Sequence, residues 1–113
     1  MTASELYEKL RPIQEARGQY FNPDMDMTLD LLGGLLTNKA RYGYMACPCR
    51  LASGTFALDR DVVCPCAYRD QDVAEYGACF CGLYVSPAVR DARTPLPAVP
   101  ERRPVEKTLA ALG

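Results

Sequence analysis

Three cysteine pairs, each with one residue between its members, dominate what this chain can become: Cys47-Pro48-Cys49, Cys64-Pro65-Cys66 and Cys79-Phe80-Cys81. They contain all six cysteines of a 113-residue chain that has no histidine. A chain of this length makes one domain, because it cannot divide into two good cores. Six thiols in so small a domain fit either a disulfide framework or a metal site. Without histidine there is no Ser–His or Cys–His nucleophile pair and no imidazole ligand, which excludes Cys2His2 and Cys3His zinc sites.

Location bears on that choice. The opening MTASELYEKL is polar and mixed in charge, unlike the basic start and apolar run of a secretory signal. The most apolar stretch, Leu29 to Leu36, holds Asp30 and two glycines and is too short to span a bilayer. The expected compartment is the reducing cytoplasm, where clustered cysteines are more often metal ligands or catalytic thiols than structural disulfides. A formal net charge of -1 does not favour nucleic acid, which calls for a basic face.

The spacing of apolar residues predicts a helix from Thr2 to about Arg17, with Leu6, Leu10 and Ile13 on one face, Thr2 or Ser4 as cap, and Gly18 as its end. Phe21-Asn22-Pro23-Asp24 reads as a turn. A second helix follows, capped by Asp24 or Asp26, with Leu29, Leu32, Leu35 and Leu36 as its apolar stripe. Gly33-Gly34 within it points to close packing against a neighbour rather than a kink. Short helices are expected over Thr55 to Asp61, from Asp70 as cap to Gly77, and over Val105 to Leu112. Only Leu83-Tyr84-Val85 suggests a strand. The expected fold is therefore mainly α, a small domain of short helices with a loop-built site between them. Four prolines between Thr94 and Pro104 predict an extended tail. Arg90, Arg93, Arg102 and Arg103 read as solvated.

Counting ligands narrows the metal readings. Structural zinc takes four ligands, usually as Cys-x2–4-Cys knuckles. A single intervening residue makes a poor knuckle, and six thiols leave two over. A 4Fe–4S cluster takes four cysteines, and the remaining two make one redox dithiol. Proline at 48 and 65 fixes the middle of two pairs and extends the preceding cysteine, so the two thiols of a pair need not face the same atom. Spacing alone does not say which four cysteines are ligands.

The stretch from Asn38 to Ser86, NKARYGYMACPCR…CPC…CFCGLYVS, resembles the catalytic (beta) subunit of ferredoxin–thioredoxin reductase, a family with CPC, CPC and CHC in this order. The resemblance extends over roughly residues 20 to 90. It implies a small, mainly helical domain at 1-90, an iron–sulfur disulfide reductase, followed by a Pro-rich extension at 91-113. It places the 4Fe–4S ligands on Cys47, Cys64, Cys66 and Cys79, and the redox-active disulfide on Cys49 and Cys81. The cysteine matching Cys49 is the exposed one that attacks the target disulfide; the one matching Cys81 lies against the cluster. The implied partners are ferredoxin as electron donor, thioredoxin as acceptor and a small β-barrel second subunit. Ferredoxin at about -400 mV against thioredoxin at about -270 mV drives the two-electron reaction by roughly 6 kcal/mol.

The chain departs from that pattern at Phe80, where the family has histidine, and its pair spacings differ from those of plant-type enzymes. The proton role of the missing imidazole must fall to water or to a tyrosine such as Tyr44, Tyr68, Tyr76 or Tyr84, a weak acid with a pKa of about 10. Phe80 serves either as a hydrophobic shield or as packing. Arg50 either lowers the Cys49 pKa or is solvated. The acidic stretch Asp59, Asp61, Asp70, Asp72 and Glu75 argues against an acidic ferredoxin docking there. Two alternatives stand beside the main reading: a ferredoxin-linked reductase of another disulfide, and a non-enzymatic zinc-binding interaction module.

Overall fold

Helix α1 (Ala3–Ala16) starts at Thr2, whose hydroxyl accepts from the Glu5 amide at 3.1 Å while the Glu5 carboxylate accepts from the Thr2 amide at 3.0 Å. This reciprocal box satisfies two donors that a helix start leaves free. Leu6 is buried and Leu10 packs beside the core, but Ile13 is 51% exposed. Gln14 takes the buried place instead, because it accepts a hydrogen bond from Arg69 at 2.6 Å. The computed structural model describes residues 1–112.

Strand β1 (Tyr20–Phe21) pairs antiparallel with β2 (Tyr84–Val85), Tyr20 opposite Val85 and Phe21 opposite Tyr84. Phe21 therefore belongs to a strand and not to the expected turn. Its ring stacks on Tyr84 with centroids 5.0 Å apart. This pairing ties the end of the first helical segment to the residues just after the third cysteine pair. The core forms around it from Leu6, Phe21, Leu32, Leu35, Cys79, Leu83 and Tyr84.

Helix α2 (Met25–Tyr42) is capped by Asp24, which accepts from the Met27 amide at 3.2 Å. It ends at Gly43 in the left-handed region. Leu32 and Leu35 are fully buried; Leu29 and Leu36 are half-buried. The two helical glycines divide their roles. A Cβ on Gly34 would stand 2.9 Å from Pro48 Cβ, whereas a Cβ on Gly33 would meet nothing within 4 Å. The helix thus lies directly against the first cysteine loop at Gly34.

The remaining elements are short: α3 (Phe56–Asp59), a 3-10 turn at Arg60–Val62, α4 (Arg69–Tyr76), α5 (Pro87–Arg90) and α6 (Val105–Leu112). Helix α4 begins before the expected cap. Tyr68 occupies the cap position, and Asp70 lies in the first turn, accepting from Arg69. Residues 91–104 form neither helix nor strand. Arg102 and Arg103 are not solvated as expected. The Arg103 side chain is 1% exposed and pairs with Asp61, and Arg102 pairs with Asp72 and Glu75. Arg90 and Arg93 are the more exposed pair. The central acids are consequently not a free acidic face, since Asp59 and Asp72 are buried and tail arginines pair with Asp61, Asp72 and Glu75. Among the described residues no helix is long and apolar enough to cross a membrane.

The contrast at the paired glycines gives a direct test. Gly33→Ala should raise the thermal midpoint, since alanine is favoured over glycine in a helix by about 1 kcal/mol. Gly34→Ala should lower stability by about 1–3 kcal/mol through the clash with Pro48. Thermal unfolding of the two variants distinguishes these outcomes.

Candidate functional site

The first cysteine of each pair is held by its own backbone amide. Cys47 N–H donates to the Val62 carbonyl at 2.8 Å, and Cys64 N–H donates to the Met45 carbonyl at 2.8 Å. These reciprocal bonds make an isolated antiparallel bridge, Ala46 opposite Val63, which sets the first two cysteine loops side by side. Cys79 N–H donates to the Tyr84 carbonyl at 2.9 Å, so the third loop hangs from β2. The Cys79 sulfur accepts from the Tyr84 amide at 3.3 Å. Gly82 closes that loop with a φ of +79°, and a Cβ there would stand 2.8 Å from Met27 Cε. All three pairs sit on loops at helix ends, where the sequence reading put them.

The loop after the first pair is anchored by Asp59, which is fully buried. Its carboxylate accepts from the Tyr44 hydroxyl, from the Ser53 amide and hydroxyl, and from the Gly54 amide. A buried carboxylate survives when its lone pairs are filled in this way.

Five cysteines line one cavity: Cys47, Cys64, Cys66, Cys79 and Cys81. Pro65, Phe80 and Tyr84 complete its apolar wall, with Arg50 and Arg69 at its sides. Cys49 is exposed and outside that lining. Cys81 lies within hydrogen-bonding reach of Cys47, Cys49 and Cys79; its sulfur is 3.9 Å from that of Cys79. Cys81 thus stands between the exposed thiol and the cavity. Among the described residues no group of three Cys, Asp or Glu side chains is placed to hold a single metal ion. The donors are all sulfur, and they spread around the walls of a cavity instead of converging on one point. Such a donor set fits an iron–sulfur group, which soft thiolates favour. Two guanidiniums beside it offset the negative charge that thiolate ligands bring.

Electrostatics differ from thiol to thiol. The one Cys81 thiol proton, which can serve a single neighbour at a time, lowers Cys47 to about 7 and Cys79 to about 6, against burial. It also lowers Cys49. Burial raises Cys64, and it raises Cys66 despite the opposing Arg50. Cys81 retains its proton, its pKa raised by the three thiols around it.

Arg50 is not solvated. Its side chain is 2% exposed. Its Nη1 reaches the Cys66 sulfur at 3.4 Å and the Cys47 sulfur at 3.9 Å, so its hydrogen-bonding contacts are with cavity cysteines, while its charge adds to the lowering of Cys49. The guanidinium lies 4.5 Å from the centroid of the Phe80 ring. Phe80 is therefore a platform for a buried cation, beyond the shielding or packing expected of it. Arg69 is the functional-site residue that sequence reasoning missed. It lies 4.7 Å over the Tyr84 ring, and its place three residues after Cys66 was the available signal. The tyrosine hydroxyls are engaged: burial and a hydrogen bond to Asp59 push Tyr44 up to about 12, and burial with a bond to Asp61 does the same for Tyr68. Tyr84 alone of the four lines the cavity, and burial raises its pKa too. Tyr76 lies at the surface near Arg102.

A domain of short helices whose loops gather thiols around one cavity, with a further thiol at the surface, defines a class of cysteine-centred oxidoreductase. The family model for the ferredoxin thioredoxin reductase catalytic beta chain matches residues 3–105, and the chain belongs to that family. This is a family of iron–sulfur oxidoreductases acting on disulfides. Comparison with curated proteins gives no match.

Acid titration tests the loop anchor. Burial alone would raise Asp59, but hydrogen bonds from Tyr44, Ser53 and Gly54 outweigh it and hold the pKa below the ordinary 3.8. Stability from this group is present above the unfolded value and lost as pH falls through the lower folded value. Asp59→Asn should destabilise the protein at neutral pH by about 2 kcal/mol or more. It should also flatten the loss of stability as the pH falls below about 4. Denaturant melts across that range measure both effects.

Proposed function

We propose that this protein passes electrons from ferredoxin to a Cys49–Cys81 disulfide and on to thioredoxin, through a 4Fe–4S cluster held by Cys47, Cys64, Cys66 and Cys79. The observation that carries this reading is the division of the thiols: five around one cavity, the sixth exposed, and Cys81 between them. When bound, the cluster supplies the single electrons that a two-electron disulfide cannot take from a one-electron donor unaided. The chain's own residues do the exchange chemistry. The Cys49 thiolate attacks one sulfur of the target disulfide, forming a mixed disulfide and releasing the other target sulfur as a thiolate. Cys81 then attacks the Cys49 sulfur, which regenerates Cys49–Cys81 and frees the second target thiol. Two electrons and two protons pass from the pair to the target; the donor restores the electrons one at a time, and water restores the protons. Exposure suits Cys49 to the first attack, and the hydrogen bond from Cys81 favours its thiolate. Phe80, Pro65 and Tyr84 keep water from the cavity side. The same exchange would serve a different protein disulfide equally well, so the target is the finer part of the proposal.

Iron and acid-labile sulfide measured on anaerobically purified protein should both come out at about four per chain; zinc without sulfide would end the cluster reading. Cys49→Ser should keep the iron, abolish thioredoxin reduction and leave no covalent complex with the target. Cys64→Ala should lose or damage the cluster. Identical behaviour of the two variants would show that ligands and dithiol have been wrongly divided.

A further inference from the structure

The tail makes a contact that a linker has no need of. Arg50 offers its fork to Glu101, with Nε donating at 2.9 Å to one carboxylate oxygen and Nη2 at 2.8 Å to the other. The third nitrogen, Nη1, faces the other way, toward the sulfurs of Cys66 and Cys47 at 3.4 and 3.9 Å. The guanidinium face is covered by Phe80 and Tyr68, at 4.5 and 5.2 Å from the ring centroids. Every donor edge and at least one face of this cation is thus engaged.

Glu101 is itself held in place. Its Oε1 accepts from the Arg103 amide at 2.9 Å. The Arg103 side chain donates to Asp61 at 2.9 Å and to the Leu58 carbonyl at 3.1 Å. Arg102 donates to Asp72 at 2.7 Å. Asp61 and Asp72 lie on either side of the second cysteine pair in the chain. Three consecutive tail residues therefore commit their charges to the body of the domain. They are bounded by Pro100 and Pro104, which limit the freedom of the segment.

We propose that residues 101–103 are a strap that positions the Arg50 guanidinium against Cys47 and Cys66, and that through this contact the tail sets the reduction potential of the group these cysteines hold. The inference rests on the reading above that they hold a cluster. Hydrogen bonds to sulfur and net local charge are what tune such potentials. A cation donating to two ligand sulfurs favours the state with the extra electron. Without its carboxylate this arginine would lose the partners of Nε and Nη2, which fix its orientation, and would not keep this place. Arg50 and Glu101 act here as positioning residues; neither exchanges electrons or protons with substrate.

Spectroelectrochemical titration of the anaerobically purified full chain tests this. Arg50→Gln should lower the potential by about tenfold in the reduction equilibrium, which is about 59 mV for one electron. Arg50→Lys, which keeps the charge and loses the fork, should lower it less; it also serves if Arg50→Gln does not fold. Glu101→Ala separates positioning from mere proximity by sign. Loss of a bystander negative charge would raise the potential, whereas loss of the strap lowers it as Arg50→Gln does. The double variant Arg102→Gln with Arg103→Gln removes the anchors and should also lower it. A raised or unchanged potential in Glu101→Ala overturns the proposal. Hydrogen exchange at the Arg103 amide gives a reading independent of the cluster, since it should speed at least tenfold in Glu101→Ala; unchanged exchange overturns the strap. A wild-type chain without iron and sulfide instead means that the proposed function has failed and, with it, the potential-setting role, while the exchange result still decides whether the strap exists.

Discussion

Two reciprocal backbone hydrogen bonds, Cys47 to Val62 and Cys64 to Met45, are the constraint on which the site depends. They are made by main-chain groups, so they set the spacing of the first two cysteine loops without committing either thiol. Side chains then need only choose a direction from fixed Cα positions. The third loop obeys the same logic through Cys79 and Tyr84, and Gly34 lets α2 pack against Pro48 behind the first. A frame of this kind keeps sulfurs apart around a cavity, where a flexible loop would let them collapse into disulfides.

Charge is the second organising element. In each of two ion pairs a buried member meets a half-buried one across a long stretch of chain, Arg103 with Asp61 and Asp72 with Arg102, so the body and tail neutralise one another. Burial of either partner alone would be costly. The pairs join the 91–104 segment, which has no helix or strand, to the structured core.

Local features of the sequence were legible where physics is local. Thr2 with Glu5, Asp24 and the leucine stripe of α2 announce caps and faces that depend on neighbours three or four residues away. Gly34 was readable as a close approach, though nothing in the sequence separated it from Gly33. A two-residue strand has no periodicity to read, so Phe21 was placed in a turn. Ile13 lost its place to Gln14 because a distant Arg69 needed an acceptor. Arg103 looked solvated because its partner, Asp61, lies far away in the chain. The three cysteine pairs were plain in the sequence, but their division into ligands and dithiol came from family resemblance and not from spacing. Arg69 offers only its nearness to Cys66 in the chain, and Glu101 carries no mark that would connect it with the cavity.

The small β1–β2 ladder has a consequence for the order in which the molecule can be made. Its strands come from the first quarter and the last third of the chain, and Cys79 hangs from the later one. The wall of the cavity that carries Cys79 and Cys81 is therefore missing until residue 85 has left the ribosome and returned to Tyr20. The cysteines at 47 to 66 emerge earlier and wait. Whatever is held between all three loops can be enclosed only once residue 85 has been made, later than the first two cysteine loops.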